Sequence, residues 1–221
     1  MEFELKNAFE HIDKLAYEIG PRIAGTRGEQ MAAEYIAGRF REFGLEVDVQ
    51  RFRFKRRSTV VRVSRLIFLS SFLATLILGP FQSMIVWAAA LALGFSVKWL
   101  LPSSESRNVI ARKIVREPKM RLAISAHYDT APCIRWRPIF LYGRFAVRPL
   151  LAVITLLLLT RLFVGLPWEV AWASCGLFFI PACLSPLLAV RREGSPGADD
   201  NASGVAVMLE CARVLADEKQ L

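Results

Sequence analysis

No residue between Leu66 and Val97 carries a charge, and no other feature of the chain restricts its folding more. A helix rises about 1.5 Å per residue, so it needs roughly 20 residues to cross the hydrocarbon core of a bilayer, and short spans manage with about 17. The run is broken near its middle by Gly79-Pro80, so two tight spans joined at Gly79-Pro80-Phe81-Gln82 fit it. A second run follows, with Pro149 to Leu166 and Val170 to Val190 apolar apart from Arg161 and a break at Gly165-Leu166-Pro167-Trp168-Glu169. Arg161 lies near the end of its segment, where its long side chain reaches the interface, and Trp168 and Trp172 suit the same boundary. Burying four such helices in a soluble core would take more surrounding protein than 221 residues supply. The expectation is an integral membrane protein with four transmembrane helices in two hairpins.

Composition agrees, with 54% hydrophobic residues and a positive mean hydropathy. The formal charge of +9 would suit a nucleic-acid binder if it formed a domain of its own. Instead the cations gather beside the apolar runs: Arg51, Arg53, Lys55, Arg56, Arg57, Arg62 and Arg65 before the first; Lys98, Arg107, Arg112 and Lys113 after it; Arg135, Arg137, Arg144 and Arg148 before the second; Arg191 and Arg192 after it. They are a topology signal, and no nucleic-acid partner is expected. The positive-inside rule puts the polar pieces in the cytoplasm, with both hairpins dipping outward and returning. The chain therefore divides into polar pieces 1–57, 104–135 and 191–221, which can assemble into one domain, separated by hairpins 58–103 and 136–190. Cys133, Cys175, Cys183 and Cys211 are scattered without a CxxC pair and suggest neither a disulfide framework nor a thiolate metal site. The mixed-charge stretch Met1 to Lys14 does not read as a signal peptide.

Within the polar pieces, Leu5, Phe9, Ile12, Leu15 and Ile19 recur at helical spacing until Gly20-Pro21. Thr26 and Glu29 have the spacing of a capping box for a second helix, with Ala32, Tyr35, Ile36, Phe40 and Phe43 on one face and Gly44 as its stop. Val47, Val49, Phe52 and Phe54 alternate with polar neighbours as in an edge strand, and Asn108 to Lys113 reads as another strand. Glu117-Pro118-Lys119 makes a turn into Leu122-Ala123-Ile124-Ser125-Ala126, the length of a buried strand, which puts His127 and Asp129 at its carboxyl end. Open α/β sheets hold their ligands at that end. Downstream, Gly197-Ala-Asp-Asp-Asn-Ala-Ser-Gly204 sets two carboxylates side by side before a helical pattern from Val205 to Leu215. Carboxylates on such a turn are poorly placed for packing and well placed for a cation, although taken alone they also make a helix-capping loop with Asn201 or Ser203 as cap. His11 matches no motif and reads as structural.

Joined across the hairpins, the polar pieces resemble the di-zinc aminopeptidase family, peptidase family M28. The matching residues are Gly20-Pro21-Arg22 with Ala24-Gly25-Thr26, Phe43 to Val47, Asn108 to Ala111, Ala126 to Thr130 and Gly197 to Gly204. The resemblance implies a fold of the α/β class, part of a zinc-exopeptidase three-layer sandwich, interrupted here by two transmembrane hairpins. It implies two zinc ions, with His127 binding one, Asp199 bridging both across an Asp199–Asp200 cis bond, and Asp129 orienting the imidazole. It implies hydrolysis of a peptide substrate at its N-terminus, and the hairpins would hold that site beside a lipid membrane.

The same pattern requires a Glu-Glu pair, another Asp and a second His further along, and the sequence to Leu221 has none that fits; Glu193 and Glu210 lie at the wrong places. Two ligands do not fill two tetrahedral sites. The expectation is an incomplete peptidase, either the front half of a longer chain or one completed by a separately encoded C-terminal half. The alternative is a non-catalytic, membrane-bound binding or scaffold protein. A transporter is disfavoured, because the apolar segments carry no acidic pair or polar stripe.

Overall fold

The computed structural model describes residues 2–115, 121–134, 137–163 and 168–217. The turn expected at Glu117-Pro118-Lys119, the break at 165–167 and the side chain of Arg161 lie outside the described residues. The chain separates into two compact units: Met1–Phe54, Ser104–Cys133 and Arg192–Leu221 form the first, and Lys55–Ser103 with Ile134–Arg191 form the second.

In the first unit, helix α1 (Leu5–Asp13) runs on as a wider π turn over Lys14–Ile19 and stops at Gly20, whose φ of 74° suits glycine. Its buried face is Ala8, His11, Leu15 and Ala16, whereas Leu5 and Phe9 are exposed. The expected stripe is thus rotated, because the face that carries His11 meets Tyr35 of the next helix. Helix α2 (Arg27–Glu42) buries Ala32, Ile36 and Phe40 and ends before Gly44, at φ 75°. Its expected capping box does not form. Thr26 Oγ1 donates to Ile23 O at 2.6 Å, and Glu29 turns its carboxylate to Gly25 N at 2.7 Å and to the next strand pair. That pair is β1 (Glu46–Phe54) antiparallel to β2 (Ser104–Arg112), in register from Glu46 opposite Arg112 to Phe54 opposite Ser104. The second strand starts four residues earlier than Asn108, because pairing with β1 extends it. Helix α7 (Ser203–Asp217) closes the core with Val205 and Leu209 against Leu15, Ala32, Ile36 and Phe40.

The buried strand expected over Leu122–Ala126 is absent. Residues 121–131 have no regular structure, and Leu122 and Ile124 are 63% and 45% exposed. An apolar strand of this kind is stable only with paired edges and covered faces, and among the described residues no neighbouring strand pairs with it. Short strands β3 (Pro132–Ile134) and β4 (Val190–Gly194) make a second two-stranded sheet. The architecture described is therefore mixed helix and strand with two small sheets, not a three-layer sandwich.

The second unit consists of α3 (Arg57–Thr75), α4 (Pro80–Leu100), α5 (Arg137–Phe163) and α6 (Trp168–Ala189). The break between α3 and α4 falls at Gly79-Pro80, with Pro80 at the first turn, where its missing N–H costs nothing. Pro149 lies inside α5, which begins well before the apolar run does. The core is aromatic: Phe72 meets Trp172 edge-on at 4.8 Å between centroids and Phe179 at 5.3 Å, and Trp87 Nε1 donates to Thr155 Oγ1 at 2.9 Å. Arg65 donates from α3 to Gly143 O of α5 at 2.6 Å and to Ala182 O and Ser185 Oγ of α6 at 3.0 and 3.1 Å. The outer faces carry exposed Leu73, Ile85, Leu93, Phe95, Leu156 and Phe178. Three described helical stretches, Ser58–Thr75, Phe81–Leu100 and Leu141–Thr160, are long and apolar enough to cross a membrane. In α6 the described apolar stretch, Cys175–Ser185, is shorter than a span.

Candidate functional site

Two irregular loops of the first unit converge. The first carries His127, Tyr128, Asp129 and Thr130; the second runs from Ser195 through Gly197 to Asp200 and leads into α7. Gly197 has φ 62°, and a Cβ there would lie 2.4 Å from Thr130 Cγ2, so the loops approach as closely as glycine permits. His127 Nε2 lies 3.1 Å from Asp200 Oδ1, and Nδ1 lies 3.5 Å from Asp129 Oδ1 and 3.2 Å from Asp129 O. A proton on Nδ1 would be donated toward Asp129, and one on Nε2 toward Asp200, so each ring nitrogen faces an acceptor. All three side chains are at least half exposed.

The carboxylate beside His127 is that of Asp200, whereas the resemblance implies Asp199 as the metal-bridging ligand; the backbone oxygen of Asp199 accepts from Ser203 Oγ at 2.9 Å. The cis peptide bond lies between Asp200 and Asn201, one position after the expected one. Adjacent identical carboxylates carry no signal in sequence as to which faces inward. Asn201 Nδ2 donates to His127 O at 3.1 Å and ties the loops together.

Behind the site stands a buried carboxylate. Glu29 accepts from Ser106 Oγ at 2.5 Å and from Arg107 N at 3.2 Å, and the Tyr128 hydroxyl lies 3.3 Å from it and on the carbonyl of Arg107. Burial, reinforced by the Glu29 charge, pushes the Tyr128 phenol well above its ordinary range, so it stays a neutral donor. Glu210 is fully buried in α7 and bound by Arg213 Nη2 at 2.9 Å, far from any catalytic use. An open cleft of about 770 Å³, partly lined by His127, Asp129, Val109, Leu122, Ile124 and Met208, adjoins the first loop.

The donor types fit zinc. Two ligands of one tetrahedral zinc, each about 2.0–2.1 Å from the ion, lie roughly 3.3 Å apart, and the His127–Asp200 separation of 3.1 Å is close to that, as it is to an ordinary ion pair. Their number does not complete a shell, since no group of three or more His, Cys, Asp or Glu able to hold a metal occurs among the described residues.

A convergent imidazole and carboxylate on loops before a helix suit metal binding or proton transfer, and sequence comparison adds a family likeness. The chain matches the profile of Peptidase family M28 over residues 178–221, a segment that includes Asp199 and Asp200. It is also 44% identical over 57 residues to Aminopeptidase YwaD of Bacillus subtilis (strain 168), covering 26% of this chain and 12% of that protein. The solved structure of BSAP, a zinc aminopeptidase from Bacillus subtilis, aligns with 98% of this chain and 58% of its own at 17% identity and a TM-score of 0.38. The chain thus spans less than two thirds of either relative.

Proposed function

We propose that this chain is the membrane-anchored front part of a zinc-dependent aminopeptidase of family M28, supplying His127 and a carboxylate of the Asp199–Asp200 pair to the metal centre. The observation that carries the reading is His127, flanked by Asp200 on Nε2 and Asp129 on Nδ1, with the aspartate pair inside the family-matched segment. Zinc bound there would supply Lewis-acid polarisation of a scissile carbonyl and a bound water of lowered pKa. The chain's own residues do the rest of the work available to them. Asp129 orients the imidazole from the Nδ1 side, Asp200 contributes an anionic oxygen beside Nε2, and Asn201 holds the carbonyl of His127 in place. The remaining donors and the general base come from outside these residues, from a longer chain or a separately encoded half. The helices of the second unit anchor the site at a lipid membrane, in a four-span arrangement with the polar pieces in the cytoplasm. The peptide substrate then meets the site near the bilayer surface.

The paucity of donors favours a second reading, a membrane-bound peptidase-like protein without catalysis. Zinc content and aminopeptidase activity of the detergent-purified chain, with and without the product of the adjoining downstream sequence, separate the two. The peptidase reading expects activity and zinc in the mixture, both lost in His127→Ala and Asp200→Asn, with Asp199→Asn milder than Asp200→Asn. Absence of zinc and activity in the mixture would sink it. Cysteine-accessibility labelling of the polar pieces in sealed vesicles tests the sidedness.

A further inference from the structure

Arg22 has no solvent exposure, although it carries a full charge. A buried guanidinium normally meets a carboxylate. This one meets backbone carbonyls: Nε donates to Tyr128 O at 2.8 Å, Nη1 to Leu15 O at 2.5 Å, to Gly20 O at 2.9 Å and to Pro196 O at 2.8 Å, and Nη2 to Gly197 O at 3.0 Å. The main chain of the same residue completes the grip, with its N–H on Thr130 Oγ1 at 2.9 Å and its carbonyl accepting from Thr130 N at 3.1 Å. Residue 22 therefore holds positions 128 and 130 on either side of Asp129, together with positions 196 and 197 just before the aspartate pair. His127 and Asp200 are exposed, and an exposed pair of this kind does not hold its own geometry against solvent and side-chain entropy. Their spacing is set by the backbones that carry them, and one rigid five-donor fork spans both backbones.

We propose that Arg22 is a positioning residue, a buried guanidinium that locks the His127 loop to the Asp200 loop and so sets the separation of the two donors. The inference rests on the metal-centre reading only for its consequence, since the lock itself is a matter of hydrogen bonds. Lysine keeps the charge but offers a single ammonium, which cannot reach carbonyls fanned around a planar group.

The test is hydrogen–deuterium exchange on the full 221-residue chain in detergent, comparing wild type with Arg22→Lys, alongside calorimetric titration with zinc ion alone. Exchange should accelerate by about tenfold or more at the amide of Thr130, which bonds to Arg22 O, and at those of Ser195 and Ala202, which bond to Ala131 O and Gly197 O. Exchange in α2 should not change. Zinc affinity that depends on His127 should fall about tenfold to a hundredfold, as for loss of a group that orients metal ligands. In Arg22→Ala, an added alkylguanidinium should restore protection in both loops, and an alkylammonium should not. Unchanged exchange in the two loops of a folded Arg22→Lys chain overturns the proposal. So does acceleration throughout, or loss of the fold in both variants, because Arg22 would then be a general stabiliser. If wild type and His127→Ala bind zinc equally poorly while the loop exchange behaves as expected, the metal-centre reading fails and the lock stands.

Discussion

His11 and Glu210 show how much a single buried titratable pair decides at the junction of α1 and α7. His11 Nδ1 lies 2.6 Å from the Tyr35 hydroxyl, and Nε2 lies 4.0 Å from Glu210 Oε1. Burial, with Arg39 adding to it, lowers the imidazole from its ordinary 6.5, while Glu210 opposes the shift. Burial would raise Glu210, but the Arg213 hydrogen bonds and the Glu4 N–H outweigh it and hold the carboxyl below its ordinary 4.5. As pH falls through 6.5 the unfolded chain takes up a proton that native His11 resists, so stability declines from there downward. The contribution of Glu210 is full above 4.5 and is lost as pH falls below it. Denaturant midpoints from about pH 7.5 to about pH 4 should therefore fall in two stages, with His11→Gln flattening the upper and Glu210→Gln the lower. Sequence marked His11 as structural and left Glu210 without a role. Neither residue's partner is local enough to be read from spacing.

Among the elements, the loop from Ser195 to Ala202 tolerates little change at Gly197. Gly197→Ala would force a Cβ to 2.4 Å from Thr130 Cγ2 and 2.7 Å from Asp200 O at a positive φ. Strain of that kind costs about 1–3 kcal/mol if the loop stays put. If it shifts, Asp200 leaves His127. The expected outcome is a lower unfolding midpoint together with weakened His127-dependent zinc binding, whereas Gly38→Ala in α2, where a Cβ meets nothing within 4 Å, should be neutral or slightly stabilising. Helix α2 was legible in its length, its apolar face and its glycine stop. Its capping box was not, because Glu29 gains more from four donors on three elements than from its own N-terminus.

At the scale of the molecule, the two-unit division follows from a solvent difference written along the chain. One unit closes over a core of Leu15, Ala32, Ile36, Phe40, Val205 and Leu209. The other packs Phe72, Trp87, Trp172 and Phe179 inside and still exposes large apolar side chains such as Ile85, Phe95, Leu156 and Phe178 outside, which water disfavours. Membrane fractions washed at alkaline pH should retain the chain, and only detergent should release it. Release by alkali would show that Ser58–Thr75, Phe81–Leu100 and Leu141–Thr160 lie on a surface and do not cross a bilayer.

The sequence by itself determined what is periodic or local: the charge-free runs, the break at Gly79-Pro80, helix α2, the strand at Glu46–Phe54 and the presence of a histidine loop and an aspartate loop. Only the tertiary structure decided which aspartate meets His127, why Leu122–Ala126 is not a strand, and that Arg22 grips both loops. Those outcomes depend on partners from distant stretches of the chain, and periodicity carries no information about a hydrogen bond between residues 22 and 197.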